Sequence, residues 1–273
     1  MIMKRELNLF DIQQESIRIL SFIDKFCEEN DISYSLGYGA LIGAIRHKGF
    51  IPWDDDIDIV MTRPNYLRFV QLFNKSKYIS DNHLKLYAPE LENCYFNISH
   101  VCDMERTRVR KYYQWTNDDT GMWIDIFPID NLPEDGGEKL RQQSRLCFNT
   151  CGANVPFSCE FPFKRHLKIV RKKILFGMHD RKKEIDNYIR LVNELPQFGS
   201  TEFVCNFASP YGKKDIHKTC IFDKYIHVPF ENIRVSIIAQ YDNYLRNIYD
   251  DYMVLPPPSA RVRKHSVNKY YWR

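Results

Sequence analysis

The sequence of 273 residues lacks several features that define common protein classes. No apolar run reaches 18 residues, which excludes a typical membrane-spanning helix, and the first residues contain no apolar core of a signal peptide. The eight cysteines form no C-x-x-C pair, so they are typical of reduced thiols in an intracellular protein. No internal repeat or low-complexity tract is visible. These absences predict a cytoplasmic protein with ordinary buried cysteines.

A zinc site is the alternative for one group of cysteines. Cys147, Cys151 and Cys159 lie near His166, but their spacing fits no common zinc pattern. Buried, unligated cysteine is therefore the favoured interpretation.

The charge is nearly balanced, with 39 basic and 35 acidic residues and a net charge of +4. This balance argues against a nucleic-acid partner, although local basic patches could still bind phosphate. The 44% hydrophobic and 14% aromatic content predicts a well-filled globular core.

Hydrophobic periodicity predicts a mixed α/β (α+β) fold in a single domain over residues 1–273. Residues 138–195 are predicted as a basic helical insertion or cap within that domain. The remaining elements are predicted as helices at 11–30, 40–49, 64–76 and 236–251, and as strands within 32–39, 50–61, 84–130 and 201–237.

The stretch IPWDDDIDIVM (51–61) places four aspartates within five positions. If residues 52–61 form an extended strand, Asp54, Asp56 and Asp58 share one face, and Ile57 and Ile59 lie on the buried side. A row of carboxylates opposite a buried face provides the oxygen ligands that Mg²⁺ prefers. The pattern therefore indicates a site for a divalent cation that binds phosphate oxygens.

Two other interpretations of this stretch are a solvated acidic loop and a calcium-binding EF-hand loop. The apolar residues that follow the aspartates argue against the loop. An EF-hand needs glycine at position 6 and glutamate at position 12, where this chain has Ile59 and Asn65.

A second acidic group lies in GMWIDIFPID (121–130), where Asp125 interrupts an otherwise apolar strand. A carboxylate in such a strand is costly unless it is paired or metal-bound. Without a metal it would need an arginine, and the RTRVR stretch (106–110) is the expected source. We interpret Asp125 as a metal ligand or a catalytic group.

A glycine-rich turn precedes the aspartates. Gly37, Gly39 and Gly43 would let the backbone approach a phosphate closely. Arg46, His47 and Lys48 follow and add positive charge. A basic and an acidic group on opposite sides of one gap would suit a diphosphate.

Three segments in the same order resemble the LicD family, the bacterial relatives of fukutin and fukutin-related protein. They are GYGALIGAIRHKGFIPWDDDIDIVMTRPNY (37–66), GMWIDIFPID (121–130) and YDNYLRNIYDDYMVLPPP with RVRKH (241–265). The resemblance implies a nucleotidyltransferase-like fold, a mixed sheet flanked by helices. It also implies a magnesium-dependent transferase, with Mn²⁺ as an alternative ion.

The resemblance and the glycine and basic residue patterns together give the following expected roles. Asp56, Asp58, Asp125 and Arg46 are the expected catalytic residues. The expected metal ligands are Asp54, Asp56, Asp58 and Asp125. The expected substrate- or nucleotide-binding residues are Gly37, Gly39, Ala40, Gly43, His47, Lys48, Arg261 and His265.

The reaction that the resemblance implies is transfer of phosphocholine from CDP-choline to a hydroxyl of a cell-surface glycan, with release of CMP. The glycan would be of the teichoic acid, lipopolysaccharide or capsule type, and could be lipid-linked. Other CDP-alcohols carrying glycerol- or ribitol-phosphate, transfer of a nucleotide, and a non-catalytic binding module remain alternatives. Two departures bear on the choice, because Ala40 and Asp250 stand where the family usually has a hydroxyl residue and glycine.

The basic stretch FKRHLKIVRKKILFGMHDRKKE (163–184) has apolar residues at helical spacing. One interpretation is a helix resting on the inner face of an anionic membrane. The other is a solvated basic face over an ordinary core stripe. A second basic patch follows the prolines, at Arg261, Arg263, Lys264 and His265, and would fit a nucleotide phosphate or a polyanionic acceptor.

Overall fold

The computed structural model describes residues 5–110, 113–157, 163–263 and 269–273. The described helices are α1 (Leu9–Glu29), α2 (Tyr38–Ile42), α3 (Arg63–Phe73), α4 (Lys77–Asp81), α5 (Glu138–Ala153), α6 (Phe163–Phe176), α7 (Arg181–Asn193) and α8 (Tyr241–Tyr249). The described strands are β1 (Ser35–Leu36), β2 (Asp58–Thr62), β3 (Leu84–Tyr87), β4 (Ser99–Asp103), β5 (Thr107–Arg110), β6 (Trp123–Asn131), β7 (Phe203–Cys205), β8 (Ile216–Lys218), β9 (Tyr225–Phe230), β10 (Ile233–Ile238) and β11 (Lys269–Trp272).

The central sheet has the strand order β1-β2-β6-β4-β3, and β7 and β8 extend it from the end of β6. Strands β2 and β6 are parallel, whereas β1, β4 and β3 pair antiparallel with their neighbours. The sheet is therefore mixed, and the predicted α/β class with a mixed sheet flanked by helices is confirmed.

Helices α1 and α3 pack on the sheet and on each other. The Phe26 ring of α1 lies 5.8 Å from the Phe69 ring and 4.9 Å from the Phe73 ring of α3, both edge to face. The apolar side chains of α1 belong to the same core as the buried residues of β2 and β6, among them Ile59 and Ile126. This packing holds the two parallel strands in the middle of the molecule.

The last described strand, β11, belongs to a second, two-stranded sheet with β5. Strand β11 pairs antiparallel with β5, and the Tyr270 carbonyl accepts a hydrogen bond from the Leu7 amide at 2.9 Å. Strands β9 and β10 form a separate antiparallel pair.

Helices α5, α6 and α7 occupy the range that was predicted as a helical insertion. Helices α5 and α7 share a small apolar cluster with β7, which includes Leu140, Tyr188 and Phe207. A further small cluster pairs Val155 with Ile169 of α6. The described helices cover Glu138–Ala153, Phe163–Phe176 and Arg181–Asn193 of that range, and the assignment of a single domain with a helical insertion stays a prediction.

Two predicted elements have different limits in the structure. The acidic strand begins at Asp58, because the backbone at Asp54 bonds to the Ile51 carbonyl and the Gln13 side chain, not to a neighbouring strand. The predicted helix 236–251 begins only at Tyr241. Its first residues belong to β10, where the β-branched pair Ile237 and Ile238 lies opposite β9.

Within the described ranges, no helix is long and apolar enough to cross a bilayer. The seven cysteines of those ranges form no disulfide with one another, and six of them are buried. Cys159 of the alternative zinc group lies outside the described residues.

Candidate active site

Asp58 and Asp125 are direct neighbours on adjacent parallel strands. They are register partners in the β2–β6 pair, and the Asp125 amide donates to the Ile57 carbonyl at 3.2 Å. Register partners point to the same face of a sheet with strands about 4.8 Å apart. Both side chains are partly exposed. The two acidic segments thus meet at one point of the sheet.

A row of polar side chains continues from this pair across the sheet. His100 of β4 is the register partner of Asp125, and Tyr87 of β3 is the partner of His100. His100 Nδ1 lies 2.5 Å from Asp125 Oδ1, and an ionised carboxylate can only accept, so the imidazole donates. The buried imidazole lies 4.1 Å from the Trp115 ring centre. His100 therefore fixes the orientation of Asp125.

The partner observed for Asp125 is His100 and not an arginine of the 106–110 stretch. Arg106 binds Glu15 at 2.7 Å, and Arg108 binds Asp119 at 3.0 Å. The sequence signal for His100 is a histidine between Ile98 and Val101 in an apolar stretch. Only the register of β4 with β6 shows that this histidine lies beside Asp125.

The three aspartates before β2 form a compact carboxylate group. One oxygen from each of Asp54, Asp55 and Asp56 lies within 4.8 Å of the others. Asp54 and Asp56 are partly exposed, while Asp55 is buried and forms an ion pair with Arg263. The predicted alternation of exposed and buried positions therefore holds, although these residues precede the strand. The sequence prediction had left Asp55 out of the site and had placed Arg263 in the second basic patch, not beside Asp55.

The charges of these carboxylates raise the pKa of two phenols, the buried Tyr270 and the partly buried Tyr211. Burial raises the pKa of Tyr270 well above its usual range, and the charges of Asp55, Asp56 and Asp125 raise it further. Burial also raises the pKa of Tyr211, and the charges of Asp58 and Asp56 add to that shift. Both phenols therefore stay protonated near neutral pH beside the acidic groups.

The glycine-rich turn packs against the aspartates. A Cβ at Gly39 would lie 2.8 Å from Asp54 Oδ2, a Cβ at Gly37 would lie 2.9 Å from Val60, and a Cβ at Gly43 would lie 2.4 Å from the Gly49 carbonyl oxygen. Close packing accounts for glycine at all three positions. Gly37, Gly43 and Ala40 are buried, whereas Gly39 is partly exposed. Their role toward phosphate stays a prediction.

Tyr38, between two of these glycines, has a left-handed backbone with φ of +46°. Its hydroxyl donates to Asp215 Oδ2 at 2.6 Å and accepts from the Asn206 amide at 2.8 Å. Asp215 in turn lies 2.9 Å from His217 Nε2. This buried network stabilises the strained left-handed backbone of Tyr38 next to the acidic group. The sequence did not predict the network.

The basic residues after the turn have different settings. The Arg46 guanidinium donates to the Tyr252 carbonyl at 2.6 Å and to the His47 ring at 3.0 Å. Arg46 and His47 are partly exposed, and Lys48 is exposed. Arg46 therefore holds the segment after α8 against the turn.

The second basic patch is only partly described. Arg261 is partly exposed, donates to the Pro256 carbonyl, and lies 5.8 Å from the ring of Trp53, which precedes the aspartates. His265 lies outside the described residues. The tyrosines Tyr244 and Tyr252 of the last segment are buried core residues.

Residues 31–156 match the family model described as "LicD/FKTN/FKRP, nucleotidyltransferase domain". These residues belong to the LicD family. The resemblance seen in the sequence is thereby confirmed, and the LicD-family domain contains both acidic segments, the glycine turn and His100.

Individual proteins are similar to the chain as well. The lipopolysaccharide cholinephosphotransferase LicD of Haemophilus influenzae is 28% identical over 97% of this chain and 99% of its own length. An uncharacterised protein of Rickettsia typhi is 31% identical over 33% of this chain and 28% of its own. An uncharacterised protein of Rickettsia prowazekii is 32% identical over 25% of this chain and 23% of its own. The similarity to the Haemophilus protein thus extends beyond the LicD-family domain.

The departure at Asp250 has a structural cost that can be measured. Its backbone has φ of +58° and ψ of −117°, a conformation that glycine adopts far more readily. Its ion pair with Lys214 is exposed and contributes little. We expect Asp250→Gly to stabilise the protein by about 1 kcal/mol in urea unfolding. The control Asp251→Gly should not stabilise it, and an equal gain from both changes would contradict the strain argument.

Proposed function

We propose that the chain is a transferase that moves phosphocholine from CDP-choline to a hydroxyl of a cell-surface glycan and releases CMP. The name of the Haemophilus relative, a lipopolysaccharide cholinephosphotransferase, supports this reaction class. The observation that carries the proposal is the register pairing of Asp58 with Asp125 beside the Asp54–Asp56 group. The proposal includes a cytoplasmic location, and the lack of a disulfide among the described cysteines supports it.

The donor set fits a divalent cation. Partly exposed carboxylates lie on two adjacent segments, Asp54 and Asp56 in one close group and Asp58 in register with Asp125, and carboxylate oxygens are the ligands that Mg²⁺ and Mn²⁺ prefer. Asp54, Asp56, Asp58 and Asp125 would hold it. When bound, the ion would supply positive charge for the diphosphate oxygens and for the charge that develops on the leaving phosphate.

The transfer forms one bond and breaks one. The acceptor oxygen bonds to the phosphorus that carries choline, and the bond from this phosphorus to the bridging oxygen breaks. CMP leaves with that electron pair. Asp125 either shares the divalent ion or accepts the proton of the acceptor hydroxyl as a general base, and in both roles His100 keeps its carboxylate oriented.

The basic residues would bind the nucleotide end of the donor. Arg46, His47 and Lys48 would neutralise the phosphate of CMP as it leaves, and Arg261 would add charge from the opposite end of the chain. Arg46 also holds the Tyr252 carbonyl, which would fix the segment after α8 beside the nucleotide. Charge neutralisation and positioning supply most of the rate in such transfers.

The test is CMP release from CDP-choline with Mg²⁺ and a lipopolysaccharide or teichoic acid acceptor, followed by chromatography. We expect EDTA to abolish release, and Asp56→Asn to lower it about 100-fold or more. The matched control is Asp186→Asn, an exposed aspartate of α7, which should keep the normal rate. An unchanged rate in Asp56→Asn would contradict the assignment.

The same assay separates the alternatives. Release of CMP from CDP-glycerol or CDP-ribitol, but not from CDP-choline, would assign a different head group to the donor and leave the proposed mechanism unchanged. Incorporation of labelled cytidine into the acceptor would indicate nucleotide transfer. Binding of CDP-choline without turnover, with every acceptor class, would indicate a non-catalytic module.

A further inference from the structure

Helix α6 turns an apolar face to solvent. Four apolar side chains, spaced four, three and four residues apart, lie on one side of the helix. We call them the α6 stripe. Their exposed fractions are 76% for Phe163, 54% for Leu167, 40% for Val170 and 75% for Ile174. An amphipathic helix normally buries such a stripe, and here Ile169 is the one residue of α6 that is buried.

The opposite face of α6 is fixed to the protein by cationic side chains. The Lys172 ammonium lies 4.9 Å from the ring centres of both Tyr113 and Phe148. The Lys173 ammonium donates to the Ala153 carbonyl at 2.9 Å. These contacts join α6 to α5 and set the rotation of the helix. The outward direction of the α6 stripe therefore follows from the packing of its polar face.

The surroundings of the α6 stripe carry positive charge. Residues 163–179 contain six lysines and arginines and no acidic residue. Lys164, Lys168 and Arg171 are exposed beside the stripe. Leu175 and Met178, also exposed, extend the apolar surface beyond it. An apolar strip bordered by cations is the composition of a helix that lies in a membrane interface.

We propose that the α6 stripe docks the protein on an anionic lipid bilayer. The apolar side chains would enter the boundary between headgroups and acyl chains, and the neighbouring cations would bind lipid phosphates. Lys164, Lys168 and Arg171 select this partner over a second copy of the chain, because a symmetric contact would set these cations against one another. The proposal does not depend on the reaction catalysed.

The experiment is flotation of the whole chain with vesicles of phosphatidylglycerol and phosphatidylcholine, compared with pure phosphatidylcholine vesicles. We expect wild-type protein to float with the anionic vesicles and the double variant Leu167→Ser/Ile174→Ser to bind about tenfold less. The matched control is Leu67→Ser/Leu72→Ser, which changes two exposed leucines of α3 and should bind normally. Lys164→Gln/Lys168→Gln should remove the preference for anionic vesicles and increase the tolerance of the remaining binding to salt.

Each other outcome would overturn the proposal. Wild-type protein that stays in the dense fraction with both kinds of vesicle would do so, as would equal losses in the α6 and α3 variants. A dimer in light scattering that the α6 variant dissociates, without flotation, would make a second copy the occupant. Circular dichroism and thermal unfolding verify that the variants are folded, and flotation needs no catalytic activity, so its failure is distinct from failure of the proposed reaction.

Discussion

Asp125→Asn is expected to lower the rate of phosphocholine transfer about 100-fold or more and to leave the fold intact. Asparagine keeps the size of the side chain and an oxygen that can accept from His100, but it removes the negative charge and the basic site. Because Asp125 lies in register with Asp58, the change also removes one charge from the proposed metal ligands. The measurement is steady-state CMP release, with kcat and KM determined separately.

The contribution of His100 can be separated from that of Asp125. His100→Ala should lower kcat, because Asp125 loses the donor that orients it. His100→Asn offers an N–H near the same position and should restore part of the rate. A structural defect alone would lower the amount of folded enzyme, which thermal unfolding measures, and would leave the kcat of the folded fraction unchanged. A normal kcat in Asp125→Asn, equal to that of the control Asp186→Asn, would show that Asp125 takes no part in the reaction.

Arg63→Met is expected to lower the free energy of unfolding by about 3–5 kcal/mol. Arg63 binds both oxygens of Asp130, at 2.6 and 2.7 Å, and also Glu90 at 3.1 Å. The side chain of Asp130 is 2% exposed, so the loss of Arg63 leaves a buried carboxylate without this cation. Methionine retains much of the apolar stem and thereby isolates the effect of the charge.

Urea unfolding measures this loss, with Arg190→Met as the control. Arg190 forms an exposed pair with Glu194 on α7, and its replacement should cost at most about 1 kcal/mol. The double variant Arg63→Met/Asp130→Leu should recover part of the stability, because it removes the buried charge as well. A cost below about 1 kcal/mol for Arg63→Met would show that the pair is not important for the fold.

The Arg63–Asp130 pair is also significant for the active site. Arg63 follows β2 directly, and Asp130 lies near the end of β6. The pair thus joins the ends of the two strands whose beginnings carry Asp58 and Asp125. A one-residue slip between the strands would separate these aspartates and turn one of them to the other face. Arg63 therefore stabilises the alignment on which the proposed chemistry depends.

The sequence predicted the parts of the site that depend on local pattern. Acidic residues within apolar stretches indicated that two segments carry functional carboxylates, and the parallel pairing of β2 and β6 brings Asp58 and Asp125 together. The burial of Ile57 and Ile59 opposite the acids was also predicted correctly. The burial pattern could be predicted because side chains alternate along an extended segment, whereas the catalytic and metal-binding roles of the carboxylates stay predictions.

The sequence could not predict contacts that depend on distant register. His100 reaches Asp125 only through the antiparallel pairing of β4 with β6. The pair between Asp55 and Arg263 joins residues 208 positions apart, and the bond between Arg46 and Tyr252 joins residues 206 apart. No local period in the sequence encodes such partners.

The orientation of α6 was undetermined for a different reason. Its periodicity showed an apolar side but not the direction in which that side points. The rule that apolar stripes face the core would have buried Phe163 and Ile174, and the structure exposes both. The ring contacts of Lys172 with Tyr113 and Phe148 decide the rotation, and these depend on tertiary packing.

The late position of Arg263 and Tyr270 has a consequence for the order of events during synthesis. Asp55 leaves the ribosome about two hundred residues before the arginine that binds it, and the phenol of Tyr270 arrives later still. A nascent chain therefore carries crowded acidic groups without these two neighbours. The pocket reaches its final form only after Arg263 and Tyr270 have left the ribosome, so a chain stalled before residue 263 would lack the cation that binds Asp55.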